Sequence, residues 1–183
     1  MGFVVARVLG LGDIRRHGSG NIGAANVLRT LGKGPAAVTL LGDIVKGAAA
    51  VALARGIAAG DEPTTAAAAA IAVAGNCWPV FLRFRGGKGV ATGFGAMLSL
   101  VPWATLPAAV AWLVIALTFR YASLASVIAA ATVPLGALVL YSHVPARWVA
   151  ALAVAVVIVW RHRENIARLL AGTERRIGDR TAA

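Results

Sequence analysis

Five apolar runs, at about residues 35 to 55, 64 to 82, 90 to 119, 121 to 142 and 146 to 160, fill most of the sequence. The charge collects in the short segments between them. A helix needs roughly 20 apolar residues to cross the hydrocarbon of a bilayer. No water is available there to satisfy backbone N–H and C=O groups, so only helices or closed barrels can span it, and runs of this length are helices. Composition agrees: 59% of the 183 residues are hydrophobic, 14% are charged and the mean hydropathy is +0.78, against about 25% charged in a soluble domain. The chain is expected to be all-α, a single polytopic membrane bundle over residues 1 to 183.

Residues 1 to 11 are apolar apart from Arg7 but too short for a full crossing, and read as the end of a truncated first helix. The run from 90 to 119 is too long for one crossing and contains Pro102 and Pro107. Cationic loops stay on the cytoplasmic side. Arg15, Arg16, Arg29 and Lys33 mark one inner loop, Asp61 and Glu62 an outer one, and Arg83, Arg85 and Lys88 return inside. Only a turn near Pro102, which makes two helices of that run, also puts the arginines of the tail inside. The count becomes seven transmembrane helices including the truncated first, with basic segments 12–33, 83–93 and 161–180 on one face.

Lys and Arg total 18 against 7 acids, a net charge of +11. Such an excess suits nucleic acid, lipid head groups or anionic substrates, and the hydropathy argues against nucleic acid. The single Cys77 supports no disulfide framework and reads as a small buried hydrophobe. No metal site and no cofactor are expected.

The first segment, GDIRRHGSGNIGAANVLRTLGKG, interleaves glycines with Ser19, Asn21 and Asn26, followed by Arg29 and Lys33. A glycine-rich turn running into a helix start offers N–H groups to an anion; the plain alternative is a flexible basic loop. In the second, FRGGKGVATG, no glycine stands five residues before Lys88 and Gly89 follows it, so the Walker pattern fails. What remains is Lys88 among Gly86, Gly87 and Gly89 with Thr92 nearby, a phosphate-binding set or a topological anchor. Gly89 and Gly93 also have a helix-packing spacing. In the third, WRHRENIARLLAGTERRIG, Ile166, Leu169 and Leu170 form an apolar face, as in an interfacial helix. His162 and Asn165 are near one another on that helix and within reach of a common ligand. Glu174 reads as a partner for an arginine, and Asp43 and Lys46 as an intramembrane pair. Trp103, Trp148, Trp160 and Tyr121 read as interface anchors. Three segments on one face that supply phosphate-type groups point to a phosphorylated small molecule as ligand.

The stretches GSGNIGAANVLRTLGK, PVFLRFRGGKGVATG and HRENIARLLAGTE resemble, in order and spacing, the three cytoplasmic motifs of the bacterial acyl-phosphate-dependent glycerol-3-phosphate acyltransferases, the PlsY family. The resemblance implies a multi-pass protein of the bacterial cytoplasmic (inner) membrane. Its active site would face the cytoplasm, taking acyl phosphate and glycerol 3-phosphate to lysophosphatidic acid and phosphate. It further implies that Ser19 and Arg29 are required, that Gly86, Gly87, Lys88 and Gly89 bind phosphate, that His162 and Asn165 complete the site, and that Glu174 holds the third motif in place. Asn21, Asn26 and Thr92 are expected to contact a substrate phosphate, membrane lipid is the expected surrounding, and a monomer is the expected state. Asn76 stands where the family usually has histidine, and Ala25 where it usually has threonine.

Acyl phosphate is a mixed anhydride with a good leaving group, so positioning and charge neutralisation suffice, with Ser19 orienting the hydroxyl. The rival version makes Ser19 a covalent nucleophile with His162 as base. From other classes, a transporter would carry its cations near the bilayer midplane, and a purely structural subunit would need no convergence of Ser, Asn and His. No H-x-x-x-x-D pattern follows any histidine, unlike the acyltransferases that use acyl-CoA or acyl carrier protein.

Overall fold

The computed structural model describes residues 1–178, so Arg180 of the third basic segment lies outside the described residues. Among these the regular structure is helical: α1 Gly2–Val8, α2 Ala24–Leu31, α3 Lys33–Ile57, α4 Glu62–Cys77, α5 Val90–Leu100, α6 Pro102–Phe119, α7 Ala122–Leu140, α8 Pro145–Arg161 and α9 Arg163–Leu170. Four spans are long and apolar enough to cross a membrane: α3, α4 with the turn after it, α6 and α7. Helices α8 and α9, bent by 57° at His162, pass together as a fifth. Helix α5 is apolar but has 11 residues, and α1 has seven. The protein is an all-helical integral membrane protein whose outer faces present Val45, Ile57, Leu117 and Val139.

Local chemistry explains where the helices start and stop. Asp61 accepts the Thr64 N–H at 2.8 Å and begins α4 with Pro63 in its first turn. Helix α5 ends at Val101, whose φ of −136° leaves the helical region, and Pro102 opens α6. The long apolar run therefore breaks at Pro102, whereas Pro107 is accommodated inside α6.

Glycine and alanine bring the helices together. A Cβ on Gly47 of α3 would stand 2.1 Å from the Thr92 carbonyl oxygen, and one on Gly95 of α5 would stand 2.0 Å from that of Ile44. The backbones of α3 and α5 thus touch directly. Gly89 and Gly93 pack the other side of α5, against Val73 of α4 and Ile158 of α8. The main core joins Val73, Cys77, Met97, Leu100 and Val154, with the half-buried Trp148 packed against it. Asp43 and Lys46 do pair, and the Lys46 ammonium also donates to Asn76 Oδ1 at 2.6 Å. At one end of the bundle Arg147 pairs with Glu62 and covers the Tyr141 ring. The described parts of all three basic segments meet at the other.

Replacing Gly47 by leucine is expected to cost about 1–3 kcal/mol or more, because neither backbone can retreat. Gly56, with no neighbour within 4 Å of a Cβ, is the control: Gly56→Ala should leave the melting temperature in detergent unchanged or raised, while Gly47→Leu lowers it.

Candidate active site

The first basic segment is wound around Asn26, which is buried. Its Oδ1 accepts the Ser19 N–H at 2.7 Å, and its Nδ2 donates to the carbonyls of Asn21 at 2.8 Å and His17 at 3.0 Å. Gly18, at φ +61°, passes so close that a Cβ would lie 2.3 Å from Asn26 Oδ1. Asn26 therefore shapes the loop and has no polar atom left for a phosphate, which corrects the expectation from sequence. Asn21 spends its Oδ1 on the Gly23 N–H at 2.8 Å, closing the turn that leads into α2. Ser19 and Arg29, on either side of this framework, line the cleft described below. Arg15 pairs with Asp13 at 2.6 Å and donates to the Leu82 carbonyl at 2.9 Å, binding this segment to the next.

The second segment turns back on the end of α4. The Gly86 N–H donates to the Cys77 carbonyl at 3.2 Å and the Gly87 N–H to that of Asn76 at 3.0 Å. A Cβ on Gly86 would lie 2.2 Å from the Asn76 oxygen. These two N–H groups, expected on phosphate, are instead spent on α4. Gly89, at φ +82°, starts α5 with no side-chain cap, which leaves the first N–H groups of that helix for another acceptor. Thr92 is a second correction. It is buried against Gly47, its hydroxyl has no partner among the described residues, and it is absent from the cleft wall.

The third segment bends at His162, whose Nδ1 is 2.8 Å from the Ile158 carbonyl oxygen. Only an N–H can face a carbonyl at that distance, so the neutral ring carries its proton on Nδ1 and leaves Nε2 as an acceptor. One turn on, Asn165 Oδ1 accepts from the Lys88 ammonium at 2.5 Å while its Nδ2 donates to Glu174 Oε1 at 2.6 Å. Glu174 also accepts from Ser123 Oγ and Arg168 Nε, each at 2.7 Å. Burial alone would raise the Glu174 carboxyl, but these three donors hold it below the usual range. Ser123 went unread in the sequence, although a serine pair at 123 and 126 within an apolar run was a visible signal.

Ser19, Arg29, Lys88, His162 and Asn165 all line one cleft of about 1570 Å³. Its lining joins the cations Arg29, Lys88, Arg161 and Arg168 to apolar residues that include Met97, Ala108, Val133 and Val154. A phosphorylated head group with a hydrocarbon tail fits that division.

A sequence profile described as glycerol-3-phosphate acyltransferase matches residues 1–172. The glycerol-3-phosphate acyltransferase of Rubrobacter xylanophilus is 50% identical over 181 residues, covering 98% of this chain and 89% of the relative. That of Halorhodospira halophila is 52% identical over 176 residues, covering 96% and 88%. This chain belongs to the glycerol-3-phosphate acyltransferase family. Among solved structures, the crystal structure of PlsY (YgiH), an integral membrane glycerol 3-phosphate acyltransferase, superposes in its glycerol 3-phosphate form with a TM-score of 0.89 at 38% identity. That match covers 97% of this chain and 88% of the other. The lysophosphatidic acid form of PlsY gives 0.87 at 37% identity, with the same coverage.

Within this acyltransferase, Asn76 joins the Lys46 ammonium to the glycine turn through its side chain and backbone oxygens. Ala25 is exposed at the cleft, where threonine would add a hydroxyl. Burial pushes the Lys88 ammonium down to about 8, with the Glu174 carboxylate opposing the shift and Arg168 and Arg29 adding to it. The phosphate-binding role expected of Lys88 requires its charged form, so on that expectation kcat/KM should fall as pH rises through about 8. The fall should approach about tenfold per pH unit. That descending limb should be absent from the residual activity of Lys88→Met, and a wild-type profile flat to pH 9.5 or so would contradict the assignment.

Proposed function

We propose that this chain transfers a fatty acyl group from acyl phosphate to the 1-hydroxyl of sn-glycerol 3-phosphate. The products are lysophosphatidic acid and inorganic phosphate, as the first acylation of phospholipid synthesis. The observation that carries this reading is the cleft itself, whose lining joins Lys88, Arg29 and Ser19 to apolar residues. Two phosphates held about 6 Å apart repel by about 3 kcal/mol per pair of unit charges at an effective dielectric of about 20. Lys88 and Arg29, with the uncapped start of α5, offset that repulsion.

The glycerol hydroxyl attacks the carbonyl carbon, the C–O bond to phosphate breaks with its electron pair, and the departing phosphate takes the hydroxyl proton. Ser19 and the His162 Nε2 orient the hydroxyl. His162 meets a backbone carbonyl at Nδ1 and, among the described residues, no carboxylate, which weighs against a Ser19 acyl-enzyme. We further propose seven crossings counting α1 and the short α5, with the basic rim facing the cytoplasm on the positive-inside principle. The site draws every group from one chain, so a monomer suffices.

The test supplies folded protein with labelled glycerol 3-phosphate and either acyl phosphate or acyl-CoA. Labelled lysophosphatidic acid from acyl phosphate, with none from acyl-CoA, is expected; product from acyl-CoA alone would reject the donor. Lys88→Ala should lower kcat/KM by about 2–5 kcal/mol of transition-state stabilisation, and unchanged kinetics would make Lys88 a topological anchor only.

A further inference from the structure

Arg161 has no part in the reading above, where it counted only as one more inner-face cation. Its side chain makes a specific set of contacts. Nε donates to the Gly87 carbonyl at 3.0 Å, Nη2 donates to the Gly86 carbonyl at 3.3 Å, and the guanidinium lies 5.6 Å from the centre of the Trp78 ring. Two adjacent carbonyls are thus held by one planar fork, a geometry that an ammonium cannot reproduce.

A trans peptide plane points its C=O and N–H in opposite directions, and the described chain has no cis bonds. With the Gly86 carbonyl turned to Arg161, the N–H of Gly87 faces the other way and meets the Asn76 carbonyl. The next plane repeats the pattern, since the Gly87 carbonyl is also turned to Arg161. The Lys88 N–H therefore faces away from the guanidinium, and no acceptor for it exists among the described residues. Left unheld, two carbonyl oxygens at the edge of an anion site would repel a phosphate. The residue whose amide is freed is also the one whose ammonium meets Asn165, one helical turn beyond Arg161.

We propose that Arg161 is a positioning residue for substrate phosphate. By holding the Gly86 and Gly87 carbonyls it aims the Lys88 N–H, beside the Lys88 ammonium, at the phosphate of glycerol 3-phosphate. The inference rests on the acyl transfer proposed above and adds to it a donor and the residue that sets that donor's direction.

Arg161→Gln should raise KM for glycerol 3-phosphate about tenfold or more, the loss expected for a charge-assisted hydrogen bond, with kcat changed by less than about threefold. Arg161→Lys, able to hold one carbonyl, should fall between it and the wild type. Trp78→Leu removes the ring beneath the guanidinium and should lower the melting temperature without moving KM. Glycerol 3-phosphate should raise the melting temperature of the wild type and do so less for Arg161→Gln. Unchanged KM in both Arg161 variants, or the same KM rise in Trp78→Leu, would make Arg161 a helix tie and overturn the proposal. If Arg161→Gln does not fold, Arg161→Lys against the wild type carries the comparison. A wild type inactive with acyl phosphate would reject the proposed reaction, while the ligand-induced melting shifts would still decide the role of Arg161.

Discussion

The contact between the Lys88 ammonium and Asn165 Oδ1 is the interaction on which the proposed chemistry depends. Residues 77 apart in sequence meet at the bundle rim, where burial disfavours the lysine charge. An amide oxygen stabilises that charge without cancelling it, so the ammonium remains available to an anion. Asn165 presents its oxygen while its Nδ2 donates to Glu174, and Glu174 is held by Ser123 of α7 and Arg168 of α9. Helices α7 and α9 and the segment that follows α9 thereby fix the direction of one side chain.

The membrane-embedded packing exists to bring those segments to one end. In lipid, apolar burial does not drive helices together, so close backbone approach does the work. Gly47 and Gly95 let α3 and α5 touch, which places the uncapped start of α5 beside the glycine turn and the first basic segment. The turn needs its glycines because the α4 carbonyls occupy the space a Cβ would take. Glycines in the second segment thus act mainly on the fold, and in the proposed reaction the phosphate contacts pass to Lys88, the N–H groups that follow and Arg29.

Much of this was legible in the sequence. Apolar runs dictated helices, Pro102 marked the break between α5 and α6, and the clustered cations grouped the three segments at one end. The donors free to meet a ligand were not legible. Asn26, Gly86 and Gly87 carry the right groups, but each is spent on a partner whose proximity only the fold creates. Thr92 lies beside the glycine motif in sequence, yet the helical phase of α5 turns it toward α3. Arg161 stayed hidden for another reason: outside the first motif, where Arg29 was singled out, the clustering of cations between apolar runs already accounted for an arginine at the end of the last one.

The most direct measurement of the central claim is a double-mutant cycle on kcat/KM with Lys88→Ala and Asn165→Ala. If the two side chains form one unit, the double variant should be about as impaired as the worse single variant, with a coupling energy of about 1 kcal/mol or more. Losses that add in full would mean that Lys88 and Asn165 act separately, and would contradict a site assembled through their contact.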